Sequence, residues 1–137
     1  MIRKKLETTT QVREHVQGGK GKGDFTVLVT PEELRGHGRL FNRIVLEPGA
    51  SIGEHDHTKD FEVYYILSGK GLVNDNGEEI VVEEGDVIYT ADGAKHSIEN
   101  IGDGPLDFLA VVPFDEKYYN TLYRIVWKII KKMIYYF

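Results

Sequence analysis

Between Phe25 and Val112 the sequence is a series of short apolar runs, interrupted every eight to twelve residues by Gly, Asn, Asp or Pro. Runs this short cannot each bury a helix face, but they suit strands that meet others across tight turns. They are Phe25–Val29, Leu40–Leu46, Phe61–Leu67, Gly71–Asn74, Glu79–Val82, Val87–Tyr89, Lys95–Ile98 and Leu106–Val112, with the His55-Asp56-His57 segment extended as well. Eight or nine strands predict an all-β antiparallel sandwich or barrel of the jelly-roll kind. Asp75-Asn76-Gly77 falls between two runs, where Asn-Gly supplies the positive φ angles of a tight hairpin. Thr30-Pro31-Glu32-Glu33 carries a capping hydroxyl, a proline at the first helical position and a glutamate three residues after the cap, so one helical turn is expected there.

A chain of 137 residues suits one core, not two. The expected division is an N-terminal arm with a Gly/Lys-rich loop over 1–24, a β-barrel domain over 25–117 and a tail over 118–137. The loop Gly18-Gly19-Lys20-Gly21-Lys22-Gly23 lacks the spacing of a phosphate-binding motif and reads as a flexible connection. The tail holds seven of the fifteen aromatic residues and no acid; as a helix it would align Arg124, Lys128, Lys131 and Lys132 in one cationic stripe. Packing on its own barrel or on a second subunit is the favoured role, with membrane-interface contact and an extension that serves no function as less favoured alternatives.

Charge narrows the partners. Residues 24–117 carry seven basic and twenty acidic side chains, whereas both ends are basic. A body this acidic argues against a nucleic-acid surface and for a small molecule or a metal. There is no cysteine, so any metal must be held by nitrogen and oxygen. No run has the length and apolarity of a membrane span, and the opening MIRKKLETTTQ has no apolar stretch, so the cytoplasm is the expected compartment.

Three of the five histidines fall in two clusters, His55-Asp56-His57 and His96, and Glu62 follows the first. On an extended segment residues two apart share a face, so His55 and His57 project together. Glu62 opens the apolar run Phe61–Leu67, and a carboxylate buried there needs a counter-charge or a metal. With His96 from a distant strand, the groups form a three-nitrogen, one-oxygen set suited to a divalent transition metal. Histidine-rich turns are often only solvated surface; the buried glutamate favours the metal. His15 and His37 fit no ligand pattern and are expected on the surface.

These residues resemble both parts of the cupin signature. Gly49, His55-x-His57, Glu62 and Gly69 fill the first part at its spacing; Gly85, Gly93, His96 and Asn100 fill the second, with Ala91 where cupins usually have proline. The resemblance covers residues 49–100 and implies a double-stranded β-helix (jelly-roll) barrel of the cupin type, here with an additional C-terminal helix. It implies one divalent transition metal per chain, manganese, iron, nickel or zinc alike, bound by His55, His57, Glu62 and His96. The glycines read as turn formers, and Asn100 as a brace for a loop.

Four protein ligands on an octahedral ion leave two positions for substrate or dioxygen. A metal-dependent enzyme is therefore expected, an oxygenase, isomerase or lyase acting on a small polar or anionic metabolite inside the barrel. The alternative is a non-catalytic module that binds or senses a small ligand around a structural metal. Strand alternation places Tyr64 and Ile66 on the face of Glu62, and Ile98 on that of His96, as candidate substrate contacts. Tyr64 is the candidate proton donor, against the ordinary role of a packed tyrosine. Arg43 is a candidate carboxylate anchor at the barrel mouth, or a solvent-facing side chain. Phe61, Val63, Tyr65 and Leu67 are apolar on the opposite face, which predicts a cover, most simply a second subunit in a homodimer.

Overall fold

A computed structural model describes residues 1–117 together with Ile125, Val126, Ile129 and Ile130. Of the helix expected over 118–137, the described Ile125, Val126, Ile129 and Ile130 are helical; the rest of it, with its cationic stripe, lies outside the described residues. Among the described residues no helix is long and apolar enough to cross a membrane.

Among the described residues ten strands form two antiparallel sheets. They are β1 (Thr9–Glu14), β2 (Lys22–Val29), β3 (Gly38–Leu46), β4 (Ser51–Asp56), β5 (Glu62–Ser68), β6 (Gly71–Asp75), β7 (Glu78–Val82), β8 (Val87–Thr90), β9 (Lys95–Asn100) and β10 (Leu106–Pro113). One sheet runs β1-β2-β3-β10-β5-β8 and the other β4-β9-β6-β7. Every expected apolar run lies in a strand except for Phe61, which just precedes β5, and the jelly-roll barrel is the architecture observed.

Alternation sorts the side chains. Along β10 each even position from Leu106 to Val112 is buried and each odd one half-buried. Across β5, Glu62, Tyr64 and Ile66 turn inward. The core they build with Ile44, Leu46, Ile98 and Phe108 fills the space between the sheets. Burial on this scale stabilises each large apolar side chain by about 1.5–3 kcal/mol.

The turns follow the sequence chemistry. Asn76 and Gly77 have φ of 51° and 99° in the two-residue loop that joins β6 to β7. Thr30 and Glu33 exchange side-chain-to-backbone bonds of 3.2 and 2.8 Å, a capping box, but the segment closes a single turn and extends no further. Arg3 reaches back to the Leu28 carbonyl at 2.7 Å and to the Glu33 carboxylate, tying the first residues to this turn. Residues 9–14, expected to be part of an arm, form strand β1, which among the described residues pairs only with β2 and is exposed along its length.

Candidate metal centre

β4 and β9 present the first two imidazoles. Their register steps from Ile52↔Ile98 to His55↔His96, three residues on β4 against two on β9. The extra residue is a β-bulge, and it reverses the alternation: Ile52 and His55 both face inward, which an unbroken strand forbids. His57 follows just after β4, and Glu62 enters from the first residue of β5 across the barrel.

The four groups converge on one point. The Nε2 atoms of His96, His57 and His55 lie 2.8, 2.9 and 3.3 Å from the same Glu62 oxygen, Oε2. The Nε2 atoms of His96 and His55 are 3.0 Å apart. His57, Glu62 and His96 are buried, and His55 alone is half-buried.

Each imidazole is gripped from behind through Nδ1. His55 Nδ1 meets the Gly53 carbonyl at 2.8 Å, His57 Nδ1 the Asp60 carboxylate at 2.6 Å, and His96 Nδ1 the Thr90 hydroxyl at 2.8 Å. The Gly53 carbonyl and the Asp60 carboxylate only accept, so Nδ1 of His55 and of His57 carries the proton. In the neutral rings, Nε2 therefore points a lone pair at the centre. Lone pairs and a carboxylate collected in a buried space repel one another unless a proton or a cation lies among them.

Protons can play that part in the metal-free chain. Burial disfavours ionised Glu62, but bonds from the three histidines prevail and hold it well below the usual carboxylate range. Burial also disfavours charged His57, yet its bonds to Glu62 and Asp60 raise its pKa above 6.5. The same donor set could hold a metal ion, since one ligand atom from each of the four residues lies within 4.8 Å of all the others. Ligands at about 2.1 Å from an ion and at right angles to each other are separated by about 3.0 Å, the spacing found between His55 and His96.

The neighbouring candidates separate cleanly. Tyr64 is buried, stacks on His96 with ring centroids 5.1 Å apart, and meets Phe108 edge-on. Burial, followed by the adjacent Glu62 charge, raises its pKa well above 10.0, so it remains a protonated phenol. Ile66 and Ile98 face inward as fully buried core residues. Arg43 does not reach the interior. Alternation along β3 buries Ile44 and Leu46 and sends Arg43 to the outer face, where Asp107 binds its guanidinium and satisfies its charge. Asn100 braces a loop, donating to the carbonyls of Leu46 and Gly104 and accepting from Gly102 N, each at 2.9 Å. His15 and His37 are exposed.

Sequence reasoning missed Gly53, Asp60 and Thr90. Asp60 carried a usable signal, a carboxylate three residues after His57. Gly53 acts through its backbone and Thr90 through a strand pairing, neither of which spacing reveals.

Comparison with known proteins bears on the fold and the family. The cupin domain family matches residues 42–112. An oxalate-binding protein of Thermotoga maritima is 42% identical over 112 residues, which is 82% of this chain and 93% of that protein. The tetracenomycin polyketide synthase protein TcmJ of Streptomyces glaucescens is 31% identical over 74% of this chain and 65% of its own length. The crystal structure of a predicted oxalate decarboxylase from Thermotoga maritima superposes with a TM-score of 0.81 and 41% identity, covering 84% of this chain and all of that one. Fold and sequence agree, and the chain belongs to the cupin family.

Proposed function

We propose that His55, His57, Glu62 and His96 bind one divalent transition metal per chain, and that the ion holds a small carboxylate of the oxalate kind inside the barrel. The observation that carries this reading is the aim of three Nε2 atoms at one carboxylate oxygen, with each Nδ1 bound behind. A bound ion would supply Lewis-acid charge and exchangeable coordination positions. The ligand class rests on the similarity to a protein described as oxalate-binding, which spans most of both chains.

The chain's residues would act around that ligand as follows. Glu62 offsets half the charge of a divalent ion, leaving a positive centre for a chelating anion. Tyr64, protonated and buried, offers the one phenol beside the centre among the described core residues. Ile66, Ile98 and Phe108 keep the interior apolar, which strengthens attraction between ion and anion.

Tyr64 also supports a second reading, in which the site turns its ligand over. In a decarboxylating lyase the C–C bond of oxalate breaks, carbon dioxide leaves, and the remaining carbon takes up a proton to give formate; Tyr64 is the candidate donor of that proton in this reading.

Calorimetric titration of oxalate into Mn2+-loaded and chelator-treated protein tests both readings. Saturable binding of one oxalate per ion, seen only with metal, is the expected result; no binding to the loaded protein contradicts it. Oxalate recovered intact identifies a binding module, whereas equal formate and carbon dioxide identify the lyase.

We also propose that the outer face of the six-stranded sheet joins two copies of the chain. Tyr65, Val87 and Tyr89 on that face are 44%, 63% and 61% exposed, and Phe61 packs beside Tyr89. A sheet face this apolar favours burial against a second one.

A further inference from the structure

The three histidines are held in unequal ways. A backbone carbonyl holds His55 and a hydroxyl holds His96, but a full negative charge holds His57. Asp60 divides its two oxygens: Oδ1 takes the His57 Nδ1 proton at 2.6 Å, and Oδ2 takes Arg39 Nε at 2.7 Å. The backbone is fixed too. Asp60 forms an isolated β-bridge with Phe114, and the next residue bonds Phe61 N to Pro113 O at 3.1 Å. A short turn between β4 and β5 would otherwise let this side chain swing into solvent.

From this geometry we propose that Asp60, clamped by Arg39, is a positioning residue that orients His57 and strengthens its Nε2 as a metal donor. The proposal rests on the metal-centre reading above. A carboxylate that accepts the Nδ1 proton pulls it outward, leaving more electron density on Nε2, and it also locks the ring against rotation. Arg39 lies on β3, is half-exposed, and joins the site through its bond to Asp60. Its work is to hold the carboxylate in the plane His57 requires. The resulting centre is asymmetric, with His57 the tightest donor and the two remaining imidazoles weaker.

The test uses Co2+ as the probe, because its visible bands report ligand strength directly. Asp60→Asn keeps size and a possible acceptor oxygen while removing charge. It should weaken Co2+ binding by about 10–100-fold and shift the visible bands. Arg39→Gln, at a half-exposed position that tolerates replacement, should give a smaller loss in the same direction, and stands in if Asp60→Asn fails to fold. Asp107→Asn breaks the corresponding arginine–carboxylate pair on the outer face and should match the wild type in affinity and spectrum. Wild-type affinity and bands in Asp60→Asn, or in Arg39→Gln should the first variant not fold, would overturn the proposal while the metal centre stands. Failure of the unaltered protein to bind Co2+ would overturn the metal reading and this proposal with it.

Discussion

Each imidazole of the centre has one nitrogen committed to the scaffold and the other aimed inward, and this division governs how the site responds to protons. In the metal-free chain His57 has a pKa raised above 6.5, so its contribution to stability is complete below pH 6.5 and disappears as the pH rises through the raised value. Glu62 is held below 4.5, so its contribution is present above pH 4.5 and is lost as the pH falls through its lowered value. Chelated protein should therefore resist heat best between pH 4.5 and 6.5. A divalent ion competes with the proton for His57 Nε2, so added Mn2+ should raise the melting temperature more above the raised His57 value than below it. Melting curves with and without the ion check this; a metal-induced shift that ignores pH contradicts it. At this scale the sequence was informative about the ligands, because two-residue spacing and a carboxylate opening an apolar strand both have direct physical consequences. It was silent on Gly53, which acts through its backbone carbonyl, and on Thr90, which lies on a different strand from His96, and it left Arg43 open because alternation along β3 has two possible phases until Ile44 and Leu46 are seen to be buried.

Among the elements, the β4 bulge is the device that brings His55 to face His96. Gly53 lies within it and has no room for a side chain: a Cβ there would stand 2.1 Å from the Gln17 carbonyl oxygen, because the 16–18 turn crosses β4 at this point. Gly53→Ala should destabilise the protein by about 1–3 kcal/mol through overpacking and should weaken metal binding, since the displaced residue carries the acceptor for His55 Nδ1. Gly104, where a Cβ meets nothing within 4 Å, is the control, expected to change stability by under about 0.5 kcal/mol. Urea denaturation of the two alanine variants separates these outcomes, and equal stability would contradict the account. The strands and the Asn-Gly hairpin were legible because apolar runs and turn residues act locally. The bulge was not, since one extra residue in a strand leaves no mark on composition or period; nor was β1, whose polar Thr9–Glu14 segment is ordered by pairing with β2 instead of by burial.

For the molecule as a whole, the two faces of the six-stranded sheet have different work: the inner one carries Glu62 and the core, and the outer one carries an apolar patch at Tyr65, Val87 and Tyr89 that is proposed to meet a second chain. Tyr65→Glu places a charge in the middle of that contact, and light scattering should find two chains in the unaltered protein and one in the variant. A single chain in both would remove the dimer. Barrel architecture could be read ahead of any coordinates because it depends on the number and spacing of strands; association could not, because it depends on a partner surface. Everything functional depends on the four converging side chains, and metal content tests them most directly. After dialysis against excess Mn2+ and removal of free ion, elemental analysis should find about one ion per chain in the unaltered protein, as four-ligand sites require, and only background in a folded His57→Ala variant. Equal metal in the two, or none in either, would contradict the proposed centre.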